Sequence, residues 1–237
     1  MKTKSLLFIL SFSFLLMSSY AFAFTTESGS INLNNINWNL TDVGVPIAPY
    51  GASVVIGNNT PSFSGNLACL DINLSTYVNT TYPGTWYTVN SAASVFNSTT
   101  PYDIFIQSNL AAFTTALNEA GWLANHMEGL TPSNANPSYV GPIDLAIWTI
   151  MLPYSTNPTS SPDGALLFPT ANSPQAPWIT DAEAAVAGGY TTSDLFFSPN
   201  DTTSQGYVLI PTPEPSTFLL FGAGIAGVAY LKRRKKA

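Results

Sequence analysis

The stretch from Leu110 to Met127 reads LAAFTTALNEAGWLANHM and is the most informative segment for the fold class. Its apolar residues recur at steps of three and four, the spacing of one helix face: Leu110, Phe113, Leu117, Ala120, Ala124 and Met127. We predict a helix over residues 104–127, with Gly129 just past its end. The apolar stripe is expected to pack into the core, because a body of this size must bury an apolar face.

The segments on either side of this helix favour β-structure. Runs of β-branched and aromatic residues between turn residues predict short strands at 31–33, 36–40, 54–56, 67–78 and 86–89. Residues 195–210 predict a closing hairpin around Pro199-Asn200-Asp201. The predicted fold class is therefore α+β, with short β-strands flanking a helical centre.

Two further helices are expected in the second half of the chain. One begins at Pro142 and ends at Met151 or Leu152, since proline is tolerated in the first turn and Pro153 stops the helix. The other is opened by a capping box at Thr180 and Glu183. The proline-rich residues between them, 153–178, are predicted to form a loop.

Charge is distributed very unevenly along the 237 residues, which include 13 Asp and Glu but only 7 Lys and Arg. No Lys or Arg occurs between Lys4 and Lys232, whereas every carboxylate lies between Glu27 and Glu214. This excludes nucleic-acid binding and lysine-based chemistry, because both need cationic side chains. One cysteine and one histidine also argue against a disulfide framework and a structural zinc site, so we expect no metal and no cofactor.

Residues 1–23 have the pattern of a secretory signal peptide. Lys2 and Lys4 precede a mostly apolar stretch, and Ala21-Phe22-Ala23 is a cleavage signature that makes Phe24 the first mature residue. We therefore expect export through the Sec translocon and cleavage by signal peptidase.

Residues 213–237 combine three features in order. Pro213, Glu214 and Pro215 come first, an apolar run over 217–231 follows, and a basic tail ends the chain: Lys232, Arg233, Arg234, Lys235 and Lys236. The run is expected to form a single transmembrane helix, with the basic tail on the cytoplasmic side. The body, residues 24–212, would then lie outside the inner membrane.

The segment PTPEPSTFLLFGAGIAGVAYLKRRKK resembles the PEP-CTERM sorting signal of Gram-negative bacteria over its whole length. The resemblance implies that exosortase, a membrane-embedded cysteine transpeptidase, recognises the chain and cleaves it near Pro213-Glu214-Pro215. It also implies that the body passes from an inner-membrane intermediate to the cell surface or to the exopolysaccharide matrix of a biofilm. Glu214 would act only as substrate, since the catalytic residues belong to the partner.

A second resemblance joins Ala68-Cys69-Leu70-Asp71 to the later segment Ile143-Asp144-Leu145-Ala146-Ile147-Trp148. The layout is similar to surface proteins with a Cys and a later Gln-x-Ala-Ile-Trp motif, among them thioester-forming adhesin domains of Gram-positive bacteria. Those domains condense the Cys thiol with the Gln side chain. Position 144 is Asp here, expected to be ionised and lacking the ammonia leaving group. Cys69 is therefore expected to be a small buried residue and Trp148 a core anchor, with a thioester-like Cys69–Asp144 pair as the alternative.

Other sites rest on residue types alone. A protease arrangement of Cys69, His126 and an Asp has no local signature, and His126 with Glu128 is too sparse for a metal site. Asn73 begins an N-x-S/T sequon with Asp71 two residues upstream, which makes it a candidate glycosylation site.

The sequence thus predicts a non-enzymatic exported protein of the cell surface or matrix that serves adhesion or polysaccharide association. The alternatives are a secreted hydrolase delivered by the same sorting signal and a permanently anchored single-pass membrane protein. Adhesion predicts exposed aromatic residues, for which Trp38, Trp86 and Trp178 are candidates. A hydrolase predicts a cleft with convergent carboxylates, or a contact between Cys69 and His126.

Overall fold

A computed structural model describes residues 26–36, 46–57, 61–70, 77–95, 109–154, 172–200 and 204–211. The strands within these ranges are β1 Thr26–Asn35, β2 Tyr50–Ile56, β3 Phe63–Cys69, β4 Thr81–Tyr87, β5 Phe196–Pro199 and β6 Tyr207–Ile210. The helices are α1 Ala92–Val95, α2 Leu110–Asn125, α3 Pro137–Met151 and α4 Ala176–Ala187, and 3₁₀ turns occur at Val89–Ser91 and Leu152–Tyr154.

The six strands close into one antiparallel barrel in the order β1-β2-β3-β6-β5-β4. Strand β1 pairs with both β2 and β4, so the first and last strands of that order meet and the sheet has no open edge. Ile31 and Leu33 of β1 are buried, whereas Asn32 between them is only partly covered. This alternation is that of a strand with one face turned to a core.

The predicted α+β fold, with strands flanking a helical centre, is therefore wrong. Strands β5 and β6 lie between β3 and β4, and this insertion joins the early and late strands into one closed barrel. Alternation along a strand specifies which side chains point inward, but it does not specify which strand lies alongside. The helices consequently pack beside a barrel rather than forming a centre between two groups of strands.

The predicted single transmembrane helix also has no counterpart in the described fold. Within the described ranges, no helix is both long and apolar enough to cross a bilayer. The apolar run at 217–231 lies outside those ranges. The signal peptide, the Pro213-Glu214-Pro215 triplet, the basic tail, Asn73 and Trp38 lie outside them as well.

Helix α2 confirms the periodicity of the central segment, because it buries Phe113, Leu117 and Ala120. It begins at Leu110, which is itself exposed, and it packs against α3, α4 and β6. The predicted hairpin is also confirmed, since β5 and β6 pair with each other in antiparallel fashion.

Helices α3 and α4 both begin earlier than predicted. The Asn136 side chain accepts a hydrogen bond from the backbone N–H of Ser138 at 3.0 Å and caps α3, which begins at Pro137, five residues before Pro142. Pro142 therefore lies inside the helix. In α4 the Thr180 hydroxyl donates to the carbonyl of Ala176, so Thr180 lies within the helix and is not its cap.

Two glycines face each other where β1 meets β4. Gly29 is the cross-strand partner of Gly84. A Cβ atom on Gly84 would collide with the Phe197 ring and the Ser198 carbonyl, and one on Gly29 would collide with Trp86 and the Val55 carbonyl. The barrel can therefore close over these aromatic rings only because both positions lack a side chain.

Candidate functional site

Helix α3 carries a carboxyl group into the interior of the protein. Asp144 lies in the middle of α3, which packs against β3, and its side chain has no exposed surface. The backbone N–H of Ala48, just before β2, donates a hydrogen bond to Asp144 Oδ2 at 2.8 Å. The other oxygen, Oδ1, is buried and accepts no hydrogen bond from the described residues.

Burial changes the expected charge of Asp144. Desolvation raises the pKa of Asp144 to about 8, although the hydrogen bond from Ala48 opposes this shift. The carboxyl group therefore holds its proton at neutral pH, which corrects the expectation of an ionised side chain. A neutral carboxyl group is the form that can occupy such a site without an opposite charge.

Tyr50, at the start of β2, lies at the centre of the same buried region. Its hydroxyl donates to the carbonyl of Pro46 at 2.6 Å. Burial raises the pKa of Tyr50 well above its usual value, and nearby Asp144, Cys69 and Tyr207 raise it further. Cys69 and Asp144 are thus both close enough to the Tyr50 hydroxyl to affect its ionisation, although they lie on different elements.

Cys69 ends β3 and is fully buried opposite Tyr207 of β6. Trp148, one turn after Asp144 on α3, is also buried, and its Nε1 has no acceptor among the described residues. The Cys69–Asp144 environment is therefore closed to solvent. A reaction there would have to be intramolecular, with thiol and carboxyl condensing to a thioester and water.

We expect the mature protein to have the intact mass of its unmodified chain, with Cys69 and Asp144 unlinked. The reason is that a carboxyl group must expel hydroxide or water, a poorer route than loss of ammonia from a glutamine side chain. Intact-mass spectrometry before and after treatment with methylamine measures this directly. A mass lower by one water, followed by addition of methylamine, would contradict the expectation.

A second group of side chains lies on the helices, and we call it the aromatic cluster: Trp122, His126, Tyr139 and Trp178. The ring centroids of Trp122 and His126 are 4.0 Å apart, and those of Trp122 and Trp178 are 6.5 Å apart. Trp178 also contacts His126 at 5.4 Å and Tyr139 at 5.7 Å, both in edge-on geometry. Helices α2, α3 and α4 each contribute, with His126 immediately after the last residue of α2.

The aromatic cluster is partly open to solvent and is held by polar contacts. Tyr139 is 41% exposed, while the other three side chains are half-buried. His126 Nδ1 lies 2.9 Å from the Trp122 carbonyl, and the Tyr139 hydroxyl donates to the His126 carbonyl at 3.2 Å. These contacts orient the rings, so the cluster offers a preformed aromatic surface.

Two carboxylates, Glu119 and Glu183, lie on the helices α2 and α4, which pack against each other; we call the contact between these two helices the seam. Glu119 lies one turn before Trp122 on α2, and Glu183 lies five residues after Trp178 on α4. Partial burial raises the pKa of Glu119, and the nearby Glu183 carboxylate raises it further. The seam thus presents aromatic faces at one end and hydrogen-bond acceptors at the other.

The structure separates several of the predicted site residues. Trp178 belongs to the aromatic cluster, whereas Trp86 is fully buried in the barrel and was wrongly expected to be exposed. His126 lies among aromatic rings at the end of α2, while Cys69 lies inside the barrel. Within the described ranges, no group of three or more His, Cys, Asp or Glu is placed to hold a metal ion.

Sequence reasoning missed Trp122 and Tyr139 of the cluster, and Ala48 and Tyr50 beside Asp144. The spacing of Trp122 and His126, four residues apart on one helix, was an available signal for the first pair of rings. Nothing in the sequence links Ala48 to Asp144, which are 96 residues apart.

Residues 211–235 match the family model of the PEP-CTERM protein-sorting motif. The chain therefore carries this motif, which implies processing by exosortase, export, and placement at the surface or outside the cell. No curated protein matches the chain significantly.

Among solved structures, the chain is similar to the N-terminal thioester domain of fibronectin-binding protein SfbI from Streptococcus pyogenes. The match covers 81% of this chain and 97% of that domain, at 10% sequence identity and a TM-score of 0.39.

Proposed function

We propose that this chain is a non-enzymatic protein of the cell surface or matrix that binds a neutral polysaccharide through the aromatic cluster. The sorting motif at 211–235 supports the destination. Export would begin with the signal peptide at 1–23 in a Gram-negative cell. An inner-membrane intermediate would precede release into an exopolysaccharide matrix such as that of a biofilm.

The observation that carries the binding proposal is the oriented, partly exposed group of four rings. The C–H faces of sugar rings pack against the electron-rich faces of aromatic side chains. Tyr139 and Trp178 present such surfaces at the junction of three helices. Glu119 and Glu183, farther along the seam, can accept hydrogen bonds from sugar hydroxyls.

The charge of the body favours a neutral polymer over an acidic one. No Lys or Arg occurs between residues 5 and 231, so an anionic polysaccharide would find no strong counter-charge and would be repelled by the carboxylates.

We expect Trp178→Ala to weaken binding of the mature protein to a soluble neutral β-glucan by about tenfold. This is the loss that corresponds to removing one stacked ring. Affinity electrophoresis in gels containing the β-glucan, or the acidic polymer alginate, measures the effect. Trp178→Phe retains a ring and should keep most of the affinity, and Tyr139→Ala tests the same surface at a more exposed position.

Unchanged retardation of both alanine variants would contradict the proposal, as would equal retardation by alginate. Circular dichroism of each variant shows whether its fold is intact.

The Glu119–Glu183 pair is the observation that favours the second candidate, a secreted hydrolase. If the chain is a hydrolase, the wild-type protein should release new reducing ends from the glucan. The Glu119→Gln variant should then lose this release. Binding of the glucan without release of reducing ends supports the non-enzymatic function.

A further inference from the structure

The sorting motif begins directly at the barrel wall. Strand β6 pairs with β3 on one side and with β5 on the other, so it is an interior strand of the closed sheet. Its last residue, Ile210, is almost completely buried and pairs with Asn66. The motif starts at Pro211, the next residue.

The covalent distance from the barrel to the motif is therefore short. Four residue steps separate Ile210 from Glu214, and a fully extended chain covers at most about 3.5 Å per residue, or about 14 Å in total. A peptidase that acts at Pro213-Glu214-Pro215 must come within this distance of the folded body.

Withdrawing β6 to lengthen this tether would be costly. Tyr207 and Val208 are fully buried, and Tyr207 pairs with Cys69 of β3 and Phe197 of β5. Removal of the strand would open the barrel and expose these side chains to water. The body is therefore expected to stay folded and to lie against the peptidase while its tail is processed.

The surface around the end of β6 suits such a contact, and we call it the barrel rim: Phe63, Ser64, Ser193, Leu195, Leu209 and Pro211. These residues line a cleft of about 190 Å³. Phe63 is 43% exposed, and Leu195 and Leu209, which line the same cleft, are partly exposed, so the rim presents adjoining apolar side chains to solvent.

The six rim residues carry no charge, and the cleft that they line contains one carboxyl group. Asp194 also lines the cleft, but it is largely enclosed and accepts a hydrogen bond from Asn125 Nδ2 at 3.2 Å. Burial raises the pKa of Asp194 to about 6, although hydrogen bonds from Thr192 and Asn125 oppose the shift.

We propose that the barrel rim is the surface on which the folded body docks against exosortase while the adjoining motif is processed. This inference rests on the proposed processing of the motif by exosortase. It adds that recognition extends beyond the linear motif to an apolar patch of the body, centred on Phe63.

The test follows conversion of the full-length precursor to its processed form in cells, by pulse–chase labelling. Phe63→Glu should slow this conversion roughly tenfold, the effect of placing a charge at the centre of an apolar interface. Tyr77→Glu is the matched control, because Tyr77 is an exposed aromatic residue, at 71%, outside the rim. It should be processed at the normal rate.

A flexible spacer distinguishes a defect in docking from a defect in folding as the cause of slow conversion. About twelve Gly and Ser residues inserted between Ile210 and Pro211, and therefore outside the motif, extend the tether by about 20 Å. The spacer should restore rapid conversion of Phe63→Glu, because the peptidase then reaches the motif without touching the rim.

Normal conversion of Phe63→Glu without the spacer would overturn docking, as would a defect that persists with the spacer. Glu214→Ala tests the underlying function separately. Normal processing of Glu214→Ala would refute exosortase recognition of the motif, whereas blocked processing of Glu214→Ala with normal Phe63→Glu would refute only the docking surface.

Discussion

Asparagine in place of Asp144 is expected to remove most of the pH dependence of stability between about pH 4 and 8. Asparagine is similar in size to aspartate, carries no charge at any pH, and can still accept the hydrogen bond from the Ala48 N–H through its amide oxygen. The variant therefore keeps the hydrogen bond from Ala48 and has no ionisable group at position 144.

The sign of the effect follows from the two states of the wild-type chain. Burial raises the pKa of Asp144 to about 8 in the folded state, compared with about 3.9 when the chain is unfolded. Between these values the folded protein binds the proton and the unfolded chain does not. Stability therefore falls as pH rises, by up to about 1.4 kcal/mol per unit, and the loss is complete above pH 8.

Urea unfolding at about pH 4, 6, 8 and 9 measures the difference in free energy of unfolding between the variant and the wild type. These pH values span roughly the range between the two pKa values. At pH 4 the variant and the wild type should have similar free energies of unfolding. At pH 9 Asp144→Asn should be more stable by on the order of 5 kcal/mol, which approaches the whole stability of a small domain.

Asp194→Asn provides a matched control for this experiment. Because burial raises the pKa of Asp194 only to about 6, its substitution should alter the slope only between about pH 4 and 6. Parallel stability curves for Asp144→Asn and the wild type would show that Asp144 is ionised when buried, contrary to our expectation.

Trp86→Ala is expected to lower the free energy of unfolding by about 3–5 kcal/mol, the range for truncating a large buried aromatic residue. Trp86 has no exposed surface, and its Nε1 donates to the Val55 carbonyl of β2 at 2.9 Å. Its ring lies 4.9 Å from that of Phe197 on β5. The side chain therefore joins three parts of the barrel, and its loss leaves a cavity where β1 meets β4.

Denaturant unfolding of Trp86→Ala, Trp86→Phe and Trp178→Ala separates the core from the surface. Trp86→Phe retains apolar volume but loses the hydrogen bond to Val55, so an intermediate loss is expected. Trp178→Ala should cost less than either, because that ring is half-exposed. Equal losses at positions 86 and 178 would mean that Trp86 does not stabilise the barrel as its burial indicates.

Several elements of the fold were predictable from local patterns. The spacing of apolar residues from Leu110 to Met127 predicts α2, and the turn at Pro199-Asn200 predicts the β5–β6 hairpin. The barrel was not predictable, because its closure joins β3 to β6, strands separated by more than a hundred residues. Gly29 and Gly84 acquire their role only when β1 and β4 are paired.

For the candidate sites too, some features could be predicted from the sequence and others depend on the tertiary structure. Family resemblance placed Cys69 and Asp144 together, and both are close to the Tyr50 hydroxyl. It could not indicate that Asp144 keeps its proton, since that depends on the loss of water around the carboxyl group in the folded state. Trp86 and Trp178 have the same side chain, and only their tertiary neighbours make one a core residue and the other part of a surface.

The destination of the protein was determined by the sequence alone. A sorting motif is a continuous peptide, so its match to the family model depends on the order of its residues and not on the fold of the body. The tertiary structure decided what the body can offer at that destination: a protonated buried Asp144, an oriented aromatic cluster and a rim beside the motif. Each of these depends on contacts between distant segments, because desolvation, ring packing and strand pairing are properties of neighbours in space.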